Sequence, residues 1–404
     1  MAGPAIPRSN WLAVWVIFAG GLAAGAHMTK VPPALPVMRA DFALTLVESG
    51  FLQTMMYAVG ATIGVLGGAL ADRFGQKRFA LIGLALMAAG GLSGTLAASY
   101  AVLLASRSLE GLGFILFTVS AVPLLVAVTL PKDRATALSL WSCYMPTGGT
   151  LALLFAPVAL ATLGWRSLWL GLAGYAAICA AMLSRHVEAP VFGGNIGSRR
   201  LIGESLRRPG ILALCLAFIC YTGQWTSLMT WLPTFVVDER GMSPATASLL
   251  TAVFVAANIP GNLLGGVLLK HGMARGIVMA GGAGAMGLTA LGFLASGAPD
   301  GLRLACALAF SLLGGVIPGA VFSATPVHAK SSEHIGTTNG MVMQASHFAQ
   351  FAVPIVVAWT ASHFGGWSAS LNTMLILAGA GAAAGLAAGR YERRLEARAR
   401  APAS

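Results

Sequence analysis

Gly67-Gly68-Ala69-Leu70-Ala71-Asp72-Arg73-Phe74-Gly75-Gln76-Lys77-Arg78 is the stretch that decides the fold. It lies between two apolar runs, roughly 49–71 and 79–98, each about 20 residues and so long enough to cross a bilayer as a helix. Only a few residues are left for the turn between them. Gly75 permits a tight turn, and Gly68 lets two backbones approach closely. Asp72 is placed to accept hydrogen bonds from unsatisfied N–H groups at the start of a neighbouring helix. Arg73, Lys77 and Arg78 pin the turn to the cytoplasmic side of a membrane.

The rest of the chain agrees. Of 404 residues, 57% are hydrophobic and 9% charged, with mean hydropathy +0.78, whereas a soluble globular chain carries about 25% charge. The apolar runs are too long and too little alternating for barrel strands, so the expected class is an all-α integral membrane protein. The formal charge of +12 does not point to nucleic acid, because the basic residues sit in short loops and at the C-terminal end, where topology requires them. Five cysteines (Cys143, Cys179, Cys215, Cys220, Cys306) fall inside apolar spans with no metal-type or disulfide spacing. No cofactor or metal site is expected. The first apolar run follows Arg8 and shows no convincing cleavage site, so it reads as the first helix rather than a signal peptide.

Twelve spans are predicted, at approximately 11–33, 48–71, 78–98, 101–130, 134–163, 166–185, 209–233, 244–270, 276–296, 301–327, 333–362 and 367–390. Assigned to alternating sides, one side receives Arg8, Arg73, Lys77, Arg78, Lys132, Arg134, Arg185, Arg199, Arg200, Arg207, Arg208, Lys270, Arg275, Lys330 and the stretch from Arg390 to Arg400. The other receives Arg39, Arg166, Arg240 and Arg303, with Lys30 near its edge. That bias places both termini in the cytoplasm. The expected organisation is a six-helix bundle over 1–185, a cytoplasmic linker over 186–208 containing Gly193-Gly194-Asn195, a second bundle over 209–390 and a basic tail over 391–404.

The halves echo each other. Gly67-Gly68 with Asp72-Arg73 and Gly75 returns about 198 residues on as Gly265-Gly266 with Lys270-His271 and Gly272. Gly164-Trp165 returns about 202 residues on as Gly366-Trp367. Two echoes at nearly one offset argue for duplication.

The pattern of Gly68, Asp72-Arg73, Gly75 and Lys77-Arg78 resembles the loop 2–3 signature of the major facilitator superfamily. Arg107, Gly111 and Gly113 resemble its fourth-helix pattern. The resemblance implies two pseudo-symmetric, parallel six-helix bundles with a site at their interface near mid-membrane. It also implies a gating role for the loop and a protein that is usually a monomer. Lys270 stands where the first copy has Asp72, so the first copy is expected to dominate the gate. Pro146-Thr147-Gly148-Gly149 and Pro157 in the fifth helix match the drug/proton antiporter pattern only loosely, and the missing Gly-Pro pair counts against an exporter. Trp231-Leu232-Pro233, Gly241-Met242-Ser243 and Ala247 resemble the cyanate/nitroimidazole branch.

An ionisable group inside a membrane is costly and is a functional candidate by default. Arg107 and Glu110 are three apart on one face of the fourth helix. One reading has Arg107 contacting an anionic substrate, with Glu110 as counter-ion or proton carrier. The other is a structural pair joining helices. His27 and Lys30 stand one turn apart on the first helix, either as a positive patch facing a cavity or as a packing residue and a snorkelling lysine. Gln344, His347 and Gln350 share one side of the eleventh helix, with Asn339 a turn earlier. Tyr221, Gln224 and Trp225 cluster in the seventh, Asn258 and Asn262 in the eighth, and Tyr57, Trp141 and Tyr144 are aromatic candidates elsewhere. Lys30, Arg107, His27 and His347 against Glu110 imply a net positive cavity.

The expected function is a secondary transporter in the cytoplasmic (inner) membrane that moves a small organic anion by alternating access, with proton coupling open. Two alternatives remain. A drug or cation exporter needs an acidic aromatic cavity. A copper-type importer would draw on His27, Met28, Met55, Met56, Met341, Met343 and His347 as soft and imidazole ligands, although Met is also a packing residue. No nucleophile–base constellation, zinc spacing or phosphate loop suggests an enzyme.

Overall fold

The computed structural model describes residues 8–188, 197–238, 241–242, 244–295, 297–364 and 366–400. Gly193-Gly194-Asn195 of the expected linker, together with Arg240 and Ser243, lie outside the described residues. Among those described there is no strand, and twelve helical segments are long and apolar enough to span a bilayer.

The first half comprises α1 (Trp11–Thr29), α2 (Val31–Phe42), α3 (Leu46–Phe74), α4 (Gln76–Thr95), α5 (Tyr100–Val128), α6 (Pro131–Ser142), α7 (Tyr144–Leu163) and α8 (Trp165–His186). A short helix, α9 (Ser198–Leu206), follows. The second half comprises α10 (Pro209–Asp238), α11 (Pro244–Lys270), α12 (Arg275–Leu294), α13 (Asp300–Gly314), α14 (Val316–His328), α15 (Ile335–His363) and α16 (Ser370–Arg400). The pairs α6–α7 and α13–α14 each form one kinked span, Pro131–Leu163 and Asp300–His328.

Local chemistry sets the boundaries. The first span ends at Thr29, short of the predicted 33, because Pro32 and Pro33 suit the opening turn of a new helix and not the interior of an old one. Thr45 and Glu48 form a capping box at the start of α3. The kinks at Cys143 and Gly315 each precede a proline by three residues, Pro146 and Pro318. A proline removes the N–H that would bond to the carbonyl four residues back. In α16 the helix continues to Arg400, so residues 391–400 extend the last span as helix instead of forming a loose tail. The predicted linker likewise contains α9.

The sequence echoes become matched turns. Gly75 (φ 108°) and Gly272 (φ 85°) close the same turn in the two halves, as do Gly164 (φ 75°) and Gly366 (φ 89°). All four use the left-handed region open to glycine.

The halves meet along α3 and α15, reinforced by α6 and α7 against α11 and α14. A Cβ on Gly68 would lie 2.1 Å from the Gly336 carbonyl oxygen, and one on Gly340 would lie 2.4 Å from that of Gly64. Small residues four apart thus let two helix backbones touch. Gly68→Val is expected to force this seam apart, because the carbonyl it meets is fixed helix backbone. Spin labels at Phe74 and Ser331 should report a longer distance in the variant. An unchanged distance would show that the seam tolerates a side chain.

Candidate functional site

A cavity lies between the two halves, about 560 Å³ when the open space at its mouth is counted. Its walls come from α1 (Met28), α5 (Phe114), α6–α7 (Ser142, Tyr144, Met145, Pro146), α10 (Phe218, Tyr221, Trp225), α11 (Asn258), α14 (Pro318, Phe322) and α15 (Met343, Ser346, His347, Gln350). Both kink prolines are wall residues. The kinks therefore shape the chamber as well as ending helices.

Half of the wall residues are aromatic or thioether side chains, and no carboxylate lines the cavity. Trp141 stacks on Tyr144 with centroids 4.3 Å apart, and Phe218 stacks on Tyr221 at 5.9 Å. The polar groups are largely satisfied. The Tyr221 hydroxyl donates to Asn258 Oδ1 (3.3 Å), Asn258 Nδ2 to the Ser311 carbonyl (2.8 Å), Trp225 Nε1 to Ser311 Oγ (3.0 Å) and Gln350 Nε2 to Ser346 Oγ (2.8 Å). Two wall groups are exceptions, the Thr226 hydroxyl and the His347 ring. His347 Nδ1 lies 2.6 Å from the Met343 carbonyl, which can only accept, so Nδ1 carries the proton. Its Nε2 is buried with no partner, an arrangement that leaves a hydrogen-bonding position for a ligand. The ring is framed by Phe114 (5.4 Å, edge-on) and Tyr57 (6.2 Å).

Lys30, Arg107, His27 and Glu110 form one buried network inside the first bundle. Glu110 Oε1 takes Lys30 Nζ at 2.5 Å and faces His27 Nδ1 at 3.2 Å, while Oε2 takes Arg107 Nη1. Arg107 also donates to the carbonyls of His27 (2.9 Å) and Leu52 (3.3 Å), and its Nη2 has no partner. Lys30 sits 4.3 Å from the Trp169 ring centroid. All four side chains are fully enclosed. With His27 neutral, two cations face one anion, leaving one net positive charge in a low-dielectric setting.

None of these four lines the cavity. The predicted net positive cavity is therefore corrected to a neutral, aromatic cavity with a positive network set behind it. The reason is packing: Lys30 finds Glu110 from another helix and is drawn inward instead of snorkelling outward. The network stays close to the chamber. His27 precedes the wall residue Met28, and Glu110 lies one turn before Phe114.

Of the remaining predicted contacts, Tyr144, Tyr221 and His347 line the cavity, and Tyr57 stands behind His347. Gln224 does not line it, and its Nε2 donates to the Cys220 carbonyl. Gln344 does not either, because its Oε1 accepts the Val65 N–H across the seam (2.8 Å). Asn339 bridges the seam to the carbonyls of Thr118 and Val119, and Asn262 bonds Asn258. Phe114, Phe218 and Phe322 are wall residues that sequence reasoning passed over. The first two lie within four residues of Glu110 and Tyr221, a spacing that could have flagged them.

At the Gly75 end of the bundle, Asp72 accepts three hydrogen bonds from the opening turn of α15: Gly336 N–H (2.9 Å), Thr337 N–H (2.5 Å) and Thr337 Oγ1–H (2.6 Å). Those amides have no partner within their own helix. Gln76, which the motif leaves unspecified, adds a fourth at 2.5 Å. Lys77 donates to the Ser184 carbonyl (2.8 Å), Arg73 lies over the Phe74 ring, and Arg78 is exposed.

Beside this seam, Glu204 on α9 binds Arg200, Lys330 and His334, each at 2.9 Å. Arg200 foremost, then Lys330 and His334, pulls the Glu204 carboxyl down to about 2. A depressed carboxylate contributes above its ordinary value and stops contributing as pH falls through the depressed one. Its hold on α9 is thus expected to be constant between about pH 5.5 and 8. A spin label at Arg199 should show equal mobility across that window and greater mobility in Glu204→Gln. A change within the window would mean that the Glu204 carboxylate is not what holds α9.

The profile of the Major Facilitator Superfamily matches residues 16–354, and the chain belongs to that family. It is 26% identical over 260 residues to a probable 4-methylmuconolactone transporter of Cupriavidus pinatubonensis, covering 60% of this chain and 58% of the relative. It is 28% identical over 268 residues to the 3-(3-hydroxy-phenyl)propionate transporter of Escherichia coli K12, covering 64% of each. The chain thus spans less than two thirds of either relative. The E. coli fucose:proton symporter superposes with a TM-score of 0.79 at 16% identity, over 95% of this chain and 99% of that one. At that identity the likeness is one of fold.

Proposed function

We propose that the chain is a secondary transporter that carries a small, ring-bearing organic acid across the cytoplasmic membrane. The observation that carries this reading is the cavity, whose aromatic and thioether walls suit a ring and whose unpartnered His347 Nε2 suits an acid. Neutral His347 accepts a hydrogen bond at Nε2 from a carboxylic acid, and charged His347 donates one to a carboxylate. Either way the ring and the acid share one proton. The net positive network behind Met28 and Phe114 favours the anion further. Two relatives named for ring-bearing acids or lactones support the same class.

In this reading the protein is a monomer with both termini in the cytoplasm. The halves 1–185 and 209–390 rock about the central site, and the Asp72 seam is the cytoplasmic gate, shut in the conformation described. Glu110, ringed by three bases, and His347 are the two candidate proton carriers.

A second reading has one observation in its favour: Met28, Met145, Met343 and His347 share the cavity, a soft ligand set that suits copper(I). A lipophilic-cation exporter has none, since no carboxylate faces the chamber. A thermal-shift panel separates them, because a ligand of the folded form raises stability by mass action. Ring-bearing carboxylates are expected to stabilise the wild type, with apparent affinity about tenfold weaker in His347→Ala, the loss of roughly one charged hydrogen bond. Stabilisation by copper(I) alone, or by cations alone, would replace this reading.

A further inference from the structure

A second pocket, sharing no wall residue with the central cavity, lies where α9 gives way to α10. It measures about 830 Å³ and is lined by Arg207, Arg208, Gly210, His328, Tyr391 and Arg394 among others. These residues come from the α9–α10 junction, the end of α14 and the last turns of α16. One membrane-spanning segment begins at Pro209 and another ends at His328, so the pocket sits at headgroup depth in a bilayer.

Its chemistry is one-sided. Three arginines line it and no carboxylate does. None of the three has an ion pair among the described residues. Arg275, which lies close enough to act on His328, is itself paired with Glu392 and does not line the pocket. His328 is 2% exposed, lines the pocket, and leaves Nε2 with no partner. The charged groups facing it are Arg208 and Arg275, both cations. The ring packs against Gly210, where a Cβ would fall 2.2 Å from His328 Nδ1. The opening turn of α10 adds its positive end. Arg394 lies 5.7 Å from the Tyr391 ring centroid. Three arginines around one pocket with no acid in its lining, and a buried imidazole without a partner, suit a multi-oxygen anion.

We propose that this pocket binds a phosphate-bearing anion. Guanidinium forks match phosphate oxygens in pairs, and the depth matches the phosphodiester of an anionic phospholipid. A soluble phosphate has the same chemistry, so the test carries both.

The full chain, delipidated in neutral detergent, is titrated with short-chain phosphatidylglycerol, short-chain phosphatidylcholine and inorganic phosphate. Bound adducts are counted by native mass spectrometry and melting is followed in parallel. The variants are Arg207→Gln/Arg208→Gln/Arg394→Gln and, as a charge-matched control, Lys132→Gln/Arg199→Gln/Arg390→Gln. Phosphatidylglycerol is expected to bind wild type and control alike, and the pocket variant at least about tenfold more weakly, the scale of one charged hydrogen bond. Inorganic phosphate showing that dependence, with phosphatidylglycerol no better, keeps the site and makes its ligand soluble. Arg394→Gln alone, an exposed change with little risk to folding, should lose about threefold, a fraction of one charged hydrogen bond. Equal losses in the pocket variant and control, no loss in Arg394→Gln, or phosphatidylcholine binding as well as phosphatidylglycerol with no response to phosphate would each overturn the proposal.

Discussion

Arg107→Ala is expected to reduce organic-acid uptake to background while the protein still inserts. The variant removes one of two cations facing Glu110, so the network behind the cavity falls from one net positive charge to none. Glu110 lies about one helical turn before the wall residue Phe114, which puts an anion inside the chamber on the order of 8 Å from the network. At that distance, and an effective dielectric near 20, a unit charge is worth about 2 kcal/mol to an anion, or roughly thirtyfold in occupancy. The deletion also opens a buried ion pair, which costs about 3–5 kcal/mol of stability. A thermal melt will therefore fall whether or not Arg107 serves transport. Arg107→Lys separates the two roles. It retains the charge and forfeits the bonds to the His27 and Leu52 carbonyls. Partial uptake by Arg107→Lys, with none by Arg107→Ala at matched expression, assigns the charge to transport. Normal uptake by Arg107→Ala would sink the anion reading.

Asp72→Asn is expected to slow turnover while leaving substrate binding within about threefold. The carboxylate takes N–H groups from Gly336 and Thr337 and the Thr337 hydroxyl. An amide of the same shape supplies one acceptor oxygen and must set a donor against one of those donors. Charged hydrogen bonds are worth about 1.5–3 kcal/mol each, so losing one shifts the gate roughly 10–150-fold toward its open form. Such a shift acts on the conformational step and not on the cavity, where Asp72 makes no contact. Labels at Phe74 and Ser331 should show a longer distance, and exchange rates should drop with little change in half-saturating substrate. Unchanged turnover would make this turn a topological anchor only.

Much of this was legible in the residues. The Gly68–Arg78 stretch gave the turn, the seam glycine and the acceptor for a neighbouring helix start. The Gly164-Trp165 and Gly366-Trp367 echo became a pair of positive-φ turns. The partners of the buried charges were not legible. Arg107 and Glu110 advertise their contact by spacing, but Lys30 reaches Glu110 across 80 positions, and a sequence does not say which face of α1 meets α5. The same ambiguity misplaced Gln344. Its stripe on α15 also carries His347 and Gln350, and those two meet the cavity while Gln344 does not, because the close crossing at Gly64 and Gly340 occludes the turn before them. The aromatic walls were hidden for another reason: a phenylalanine in an apolar span has the same signature whether it packs or lines a chamber. The kinks had a signal in Pro146 and Pro318, but Pro157, Pro260 and Pro354 lie inside helices that continue through them.

The most direct measurement of the central claim is uptake of a radiolabelled ring-bearing carboxylate, 3-phenylpropionate, into proteoliposomes holding wild type or His347→Ala. An inward pH gradient is applied and then collapsed. The account predicts saturable uptake by wild type, stimulated by the gradient, and a loss of about tenfold or more in His347→Ala, in line with one charged hydrogen bond and its proton. Equal uptake by the two proteins, or uptake no greater than that of empty liposomes, would contradict it.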